Sequence, residues 1–277
     1  MKTILVPTDF SKNSIHAAEY AAMLANQMHA NIVFLNTFNV PMATEYEYTY
    51  NIENYLVVGK ENGETNLKEF TRNFINKTNF DPDRTAQIVE YGFVADKIVD
   101  IASTIKADFI VMGTKGASNM IDRWFGTTAQ TVIKTAKCPV WIIPNRTHIH
   151  FPKKILYAAD FQEDEIVATH KVLGMAKPLE ADCKVVHIHD YFEENTAKII
   201  QRKINNLQYA FDEENVSFKN VNYVDIIQGL ENYIHSYKPD VLALAVHEKS
   251  FLSKIFDASV SKHFIQEAKL PMFTFRS

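Results

Sequence analysis

The sequence predicts an α/β protein with two tandem, doubly wound domains, each built on a parallel sheet with helices on both faces. Short apolar runs that suit buried strands alternate along the chain with segments of helical periodicity, and strict β–α alternation produces a parallel sheet. The second half also repeats the first, since Ile4–Phe10 aligns with Ile155–Phe161 at an offset of 151 residues. The chain is therefore expected to hold two copies of one fold.

The first copy opens with a strand and a capped helix. A strand is predicted over Thr3–Pro7, and Ser11 suits the N-cap of the helix that follows. That helix carries apolar residues at helical spacing, namely Ile15, Ala18, Ala22, Ala25 and Met28. A strand over Asn31–Asn36 comes next, followed by a helix around Glu61–Lys77.

The rest of the first copy continues the alternation. A strand over Ala86–Val89 precedes a helix that carries Val94, Ile98, Ile101 and Ile105. The apolar run Asp108–Met112 predicts a strand that ends at Gly113, and Asp108 is expected to act as a turn acceptor, as is Asp240 in the second copy. A helix over Thr128–Lys137 and a closing strand over Pro139–Ile143 follow.

The repeat predicts domains at residues 1–146 and 153–277, joined by a polar stretch bounded by prolines. Near the end of each copy the offset falls to 132, where Asp108–Met112 aligns with Asp240–Leu244. The second copy therefore lacks nineteen residues, and we assign the gap to Pro41–Gly59 of the first copy. Tyrosines in the segment from Thr44 to Tyr55 suggest either a lid or partner surface or a solvated loop.

Composition excludes several classes of protein. The formal net charge is −4 and the pI is near 6.2, which argues against nucleic-acid binding. No apolar run reaches the roughly 18 residues of a membrane span, and the N-terminus does not resemble a signal peptide. Cys138 and Cys183 stand beside apolar residues, so we expect reduced core thiols and a cytoplasmic protein.

A glycine motif between a predicted strand and a predicted helix indicates an anion site. Gly113, Gly116 and Gly126 form the pattern G-x2-G-x9-G, and Thr127 and Thr128 follow it. Backbone N–H groups in such a turn can approach a phosphate closely, and the N-terminus of the next helix favours negative charge. The alternative is a loop whose glycines serve turn geometry alone. Asp9 and Gly113 each follow a strand, so both are expected at the same edge of the sheet.

The early V-P-x-D and the pattern G-x2-G-x9-G-[ST] resemble the universal stress protein family in its tandem form. The resemblance implies Rossmann-like sheets of five parallel strands in the order 3-2-1-4-5, and an adenine-nucleotide site. It implies that Asp9 faces the adenine or ribose and that the backbone of Gly113, Gly116 and Gly126 binds the triphosphate. Thr127 and Thr128 would add hydroxyl groups. Within the x9 stretch Arg123 is the one cation, with Lys115 just before it.

The positions aligned with Gly113, Gly116, Gly126 and Thr127 carry Ala245, Glu248, Ala258 and Ser259, respectively. An alanine where the backbone needs a positive φ costs about 1–2 kcal/mol. A carboxylate such as Glu248 at 4 Å from a phosphate costs up to about 4 kcal/mol. We therefore expect ATP in the first copy only, although Asp160 aligns with Asp9.

Other residues receive less specific interpretations. His187 and His189 have HxH spacing on one face of a strand end, and without a third ligand nearby a polar strand terminus is favoured over a metal site. Trp124 and Phe125 are expected to anchor the glycine loop on the fold. We expect no catalytic residues and no metal ligands.

The sequence leaves three functions open. The first is a nucleotide-dependent stress or signalling module that binds ATP, with or without Mg²⁺, and is not an enzyme. The second is a slow ATPase or another adenine-nucleotide hydrolase, although no S-G-G-x-D-S, H-x-G-H or Walker A motif is present. The third is an interaction protein that binds no ligand.

The final strands predict how the copies assemble. Pro139–Ile143 and Pro271–Phe275 are apolar strands that would each leave an open edge, and an open edge favours pairing. In the resembling family, single domains pair through their last strands. We therefore expect an intramolecular pseudo-dimer of the two domains, with a homodimer of whole chains as a further option.

Overall fold

The computed structural model describes residues 1–39, 45–114, 126–161, 164–190, 194–247 and 270–276. The chain divides into two compact units, and among the described residues the division falls between Asn145 and Arg146. Within the described ranges, no helix is both long enough and apolar enough to cross a membrane.

The first unit holds one parallel sheet. Its strands are β1 (Thr3–Pro7), β2 (Asn31–Phe38), β3 (Thr85–Tyr91), β4 (Phe109–Gly113) and β5 (Val140–Ile143). Its helices are α1 (Lys12–Met28), α2 (Glu45–Thr78), α3 (Val94–Thr104) and α4 (Thr127–Thr135). The strands lie in the order β3-β2-β1-β4-β5, and every neighbouring pair is parallel. This confirms the predicted fold class and strand order.

The sequence explains where α1 begins and which face it buries. The Ser11 side chain accepts a hydrogen bond from the Ser14 N–H, so Ser11 is the N-cap, as predicted. The alanine face packs on the sheet, and Ala18 and Ala25 are buried. Ile15, in contrast, stays 38% exposed. Ile15 lies one turn from the helix start, at the edge of the apolar stripe.

Helix α2 is longer than the sequence predicted. It runs over Glu45–Thr78 instead of Glu61–Lys77, so the tyrosine-rich segment is helical from Glu45 onward and is not a loop. Gly59 and Gly63 allow this length because they bring the helix close to the sheet. A Cβ at Gly59 would lie 2.6 Å from the Phe38 ring, and one at Gly63 would lie 2.7 Å from the Val89 side chain. Both glycines therefore serve close packing between the helix and the sheet.

The core of the first unit contains large aromatic side chains packed edge to face. Phe34 of β2 lies between Phe70 and Phe74 of α2, with ring centroids 5.3 and 4.9 Å apart and rings nearly perpendicular. Such pairs stabilise the fold beyond the area they bury. These contacts explain why the C-terminal half of α2 has an apolar face.

The second unit repeats this architecture with a shorter second helix. Its strands are β6 (Lys154–Ala159), β7 (Asp182–Asp190), β8 (Val216–Tyr223), β9 (Val241–Ala245) and β10 (Met272–Phe275). The described helices are α5 (Glu165–Leu179), α6 (Glu194–Ala210) and α7 (Ile226–Tyr237). The strands are parallel in the order β8-β7-β6-β9-β10, which is 3-2-1-4-5 again. Helix α6 has 17 residues against 34 in α2, which accounts for most of the nineteen-residue gap.

Each unit carries an aspartate that joins two strands at the opposite edge from the candidate site. The Thr3 N–H donates to Asp108, with N···O 2.7 Å, and the N–H groups of Lys153 and Lys154 donate to Asp240 at 2.8 and 2.9 Å. Both residues were expected to act within turns. They accept instead from the first residues of a neighbouring strand, because β1 and β6 lie beside the strands that these aspartates precede.

Candidate functional site

The candidate site of the first unit lies at the carboxyl ends of β1 and β4, which are neighbours in the sheet. The chain runs from β1 to β2 on one side and crosses to β4 on the other. Open α/β sheets bind ligands at such a switch point. Asp9 follows β1, Gly113 ends β4, and α4 begins at the same edge after the glycine motif.

The turn after β1 is held by hydrogen bonds among short polar side chains. The Thr8 hydroxyl donates to the Ser14 hydroxyl at 3.0 Å and accepts from the Phe10 N–H at 3.0 Å. Phe10 has a φ of 63°, a left-handed conformation that a non-glycine residue adopts only when its surroundings hold it there. Asp9 is exposed, and its carboxylate accepts from the Ser11 N–H at 3.1 Å. The carboxylate is therefore oriented at the surface of the crevice.

Sequence reasoning missed Asn36, which supports this turn. Asn36 is 7% exposed near the end of β2, and its side-chain amide donates to the Thr8 carbonyl at 2.8 Å. The two residues stand 28 positions apart in the sequence. A polar residue inside the apolar run of β2 was the available signal.

Glycine at positions 113 and 126 leaves room for a neighbouring segment or leaves the backbone accessible. Neither residue has a left-handed backbone conformation. The described glycine with a φ in that region is Gly92, whereas Gly126 has φ −65° and ψ 157°. The expectation of positive φ at these positions was therefore wrong. A Cβ at Gly113 would lie 3.2 Å from the Asn13 carbonyl oxygen, at the start of α1. Gly113 thus lets β4 end close against that helix.

A backbone hydrogen bond joins the two ends of the glycine motif. The Gly126 N–H donates to the Thr114 carbonyl at 2.8 Å, and Thr114 is buried. This bond keeps the start of α4 next to the end of β4. Gly116, Lys115, Arg123, Trp124 and Phe125 lie outside the described residues.

The N-terminus of α4 presents backbone donors toward the crevice. Gly126 is the N-cap and, lacking a side chain, makes no capping bond, and Thr127 rather than Thr128 is the first helical residue. The first N–H groups of a helix have no partner inside it, and the helix dipole gives this end a partial positive charge. Thr127 is exposed and Thr128 is half-buried. The arrangement suits an anion.

The described part of the chain contains no cluster of three or more histidine, cysteine, aspartate or glutamate side chains arranged to hold a metal. The thiols are not activated either. Burial raises the pKa of Cys138 to about 11 and that of Cys183 to about 12. Both thiols are free, and Cys138 is only half-buried, against the expectation of a core residue.

The equivalent edge of the second unit is occupied by its own side chains. Asp160 holds the place of Asp9, and His247 Nε2 lies 2.8 Å from the Asp160 Oδ2. This distance brings the two side chains into direct contact, so the Asp160 carboxylate has an internal partner. His247 follows β9, two residues after Ala245. Glu248, Ala258 and Ser259 lie outside the described residues.

A buried carboxyl group takes over the turn after β6. Glu165 accepts from the Tyr157 hydroxyl at 2.7 Å and from the Phe161 N–H at 2.8 Å. Burial raises the pKa of Glu165, against the opposing effect of these two bonds. Phe161 has a φ of 55°, as Phe10 does in the first unit. The turn is thus conserved in shape between the units but stabilised by different chemistry.

His187 and His189 lie near the carboxyl end of β7, where the sequence had placed them, and both side chains are buried. They are 8% and 6% exposed, respectively. Their rings face the same side, nearly parallel, with centroids 6.0 Å apart.

Comparison with known sequences gives consistent results for the first half of the chain. A model of the universal stress protein family matches residues 1–144. Universal stress protein MJ0531 of Methanocaldococcus jannaschii is 31% identical over 144 residues, which are 51% of this chain and 81% of that protein. Universal stress protein G of Escherichia coli O157:H7 is 23% identical over 147 residues, 51% of this chain and 98% of that protein.

Solved structures extend the comparison to the whole chain. A universal stress protein from Archaeoglobus fulgidus has a TM-score of 0.73 at 17% identity, with 99% of this chain and 98% of that chain covered. At this identity the match concerns the fold. It extends the likeness from the first unit to the second.

Proposed function

This chain belongs to the universal stress protein family, and from that premise we propose that its first unit binds an adenine nucleotide and acts as a nucleotide-dependent stress or signalling module. The ligand we propose is ATP, with or without Mg²⁺. Asp9 would face the base or ribose, while the backbone at Gly113, Gly116 and Gly126 would bind the phosphates. The hydroxyl groups of Thr127 and Thr128 complete the proposed set.

One observation carries this proposal: the N-terminus of α4 has no side-chain cap and is tied to β4 beside the Asp9 turn. The Thr114–Gly126 bond holds the partial positive end of α4 at the sheet edge, where anions are stabilised. The exposed Asp9 carboxylate supplies an acceptor for hydroxyl or amino groups. A ligand with a polar ring system at one end and phosphates at the other matches both features.

We propose that the second unit does not take ATP. The Asp160 carboxylate is paired with His247, so an incoming ribose or base would have to displace an internal partner. Ala245 stands where Gly113 does, and Glu248 would add a like charge near the phosphates. The stoichiometry should therefore be one nucleotide per chain.

We propose that the bound nucleotide is not turned over as a substrate. In this proposal the described motif residues bind the phosphates through backbone groups and threonine hydroxyls, which position a nucleotide without activating an attacking water. Slow hydrolysis and an unliganded interaction protein are the alternatives. Phosphate release from ATP above the uncatalysed rate would favour the first. No binding of ATP, ADP or AMP would favour the second.

Isothermal titration of the full chain with ATP tests the proposal, and the repeat supplies a matched control. Asp9→Ala should weaken binding at least tenfold, whereas Asp160→Ala should leave affinity and stoichiometry unchanged. A stoichiometry of two, or equal losses in both variants, would contradict the assignment to the first unit. With ATP at a hundred times its Kd, thermal unfolding should show that the free energy of unfolding rises by about 2.7 kcal/mol.

We also propose that the two units assemble through their last strands, Pro139–Ile143 and Pro271–Phe275. Pairing of whole chains is a further part of the proposal. If an edge is covered, alternate amides of β5 should exchange slowly in the full chain, because they would donate to a second strand. Fast exchange at those amides would contradict the pairing. Light scattering measures whether chains associate further.

A further inference from the structure

His187 replaces Asn36 in the second unit and makes the same hydrogen bond. Asn36 donates from its side-chain amide to the Thr8 carbonyl at 2.8 Å, and His187 Nδ1 lies 2.8 Å from the Ala159 carbonyl at the aligned position. A carbonyl oxygen only accepts, so Nδ1 carries the hydrogen and a second proton would enter at Nε2. The donor in the first unit is the Asn36 amide, which does not titrate. The donor in the second unit is the His187 imidazole, which does.

The surroundings of His187 oppose a positive charge. The His187 ring is 8% exposed and packs against the Phe161 ring, with 4.5 Å between the centroids. The His189 ring is stacked nearly parallel to it, with 6.0 Å between the centroids. Lys203 of α6 donates to the Phe161 carbonyl at 2.9 Å and adds a fixed positive charge nearby. A proton at Nε2 would therefore place a second cation in a buried, apolar setting.

The acidic groups of the turn after β6, beside His187, are already engaged. Asp160, at the end of β6, is paired with His247. Glu165, at the start of α5, accepts from Tyr157 and from the Phe161 N–H. On β8, the partner of His189 is the uncharged Asn220, at 3.1 Å from Nδ1. Burial lowers the pKa of His187, with His189 and Lys203 adding to this, against the bond to Ala159 and the charge of Asp160.

We propose that the second unit is the acid-responsive half of the chain, in which protonation of His187 loosens the carboxyl end of β7 and the turn after β6. The first unit holds Asn36 and Phe38 at the positions of His187 and His189, so this response is confined to the second unit. The inference does not depend on nucleotide binding.

The direction of the pH dependence follows from proton linkage. Because the folded pKa of His187 lies below the unfolded value of about 6.5, the unfolded state binds more protons between the two values. The stability that His187 contributes is complete above about pH 6.5 and is lost as the pH falls below it. The opening equilibrium of the second unit should rise by up to about tenfold per pH unit in this window.

Hydrogen exchange of the full chain, corrected for intrinsic rates, tests this at about pH 7.5 and about pH 5.5. Amides of β7 and β8 should lose about tenfold in protection at the lower pH, while those of β2 and β3 keep theirs. His187→Asn, which copies Asn36, should remove the loss. Asn36→His should create one in the first unit.

Two outcomes would overturn the proposal. One is equal protection of β7 at both pH values in the unsubstituted chain, and the other is an unchanged acid response in His187→Asn. If that variant fails to fold, NMR titration of the His187 Hε1 in the unsubstituted chain gives an independent answer, because a midpoint at or above about 6.5 contradicts the proposal.

Discussion

The amide of Gly126 donates to the carbonyl of Thr114 across 2.8 Å, although eleven residues separate them in the chain. The bond makes the end of β4 and the start of α4 adjacent. It therefore places the positive end of the helix dipole at the edge of the sheet where Asp9 emerges. Four predictions start from this and similar local relationships.

Substitutions at Gly126 should separate helix stability from nucleotide affinity. In Gly126→Asp the new carboxylate can cap the N–H groups of α4, which keeps or slightly raises the melting temperature. The same carboxylate occupies the proposed phosphate position with a negative charge, so ATP affinity should fall more than tenfold. Calorimetry and thermal unfolding measure the two effects. Gly126→Ser is the uncharged control, and unchanged ATP affinity in Gly126→Asp would show that the phosphates bind elsewhere.

Two glycines in helices of the second unit should respond oppositely to alanine. A Cβ at Gly174 in α5 meets no atom within 4 Å, so Gly174→Ala should stabilise by about 0.5–1 kcal/mol through helix propensity. A Cβ at Gly229 in α7 would lie 2.8 Å from the Tyr223 Cβ and 2.9 Å from the Ile188 side chain. Gly229→Ala should therefore destabilise by about 1–3 kcal/mol. Urea unfolding of both variants gives the comparison, and a shared sign would contradict it.

The cap at the start of α1 should be worth a measurable amount. Ser11→Ala removes the acceptor for the Ser14 N–H and should cost about 1 kcal/mol of stability. Ser11→Asn keeps a capping oxygen and should lose little. The measurement is the denaturant midpoint of the first unit, followed by aromatic fluorescence. Equal losses in the two variants would mean that the hydroxyl acts through something other than capping.

Asp240 should contribute to the stability of the second unit only while its carboxylate is ionised, and this contribution is separate from that of His187. Burial alone would raise the pKa of Asp240, but bonds from His150 and from the Lys153 and Lys154 N–H groups lower it. Because the folded pKa lies below the unfolded one, the stabilisation is present above about pH 4 and is lost as the pH falls through the folded pKa.

Asp240→Asn should accordingly be less stable than the unsubstituted chain at neutral pH and nearly equal to it in strong acid. Urea unfolding across the acid range measures the difference. His150→Gln is the control, since it removes one of the three bonds and should give a smaller difference of the same shape. If the difference in unfolding free energy between Asp240→Asn and the unsubstituted chain stayed constant down to low pH, the lowered pKa of Asp240 would be contradicted.

Much of the fold was predictable because it depends on local patterns. The apolar runs at Thr3–Pro7 and Asp108–Met112 matched β1 and β4 within a residue, and Ser11 was correctly identified as a cap. The strand order followed from the family resemblance. The length of helix α2 was underestimated, and only the position of the sheet shows why Gly59 and Gly63 are favoured within it.

The candidate site divides in the same way. The sequence by itself determined the repeat, the element order and which strand ends carry Asp9 and Gly113, since periodicity, caps and motif spacing act over a few residues. Only the tertiary structure decided that Asn36 supports the turn at Thr8, that His247 contacts Asp160, and that the His187 ring is buried. These pairs lie far apart in the chain. Their energies come from burial and from distances between side chains, which the order of residues does not state.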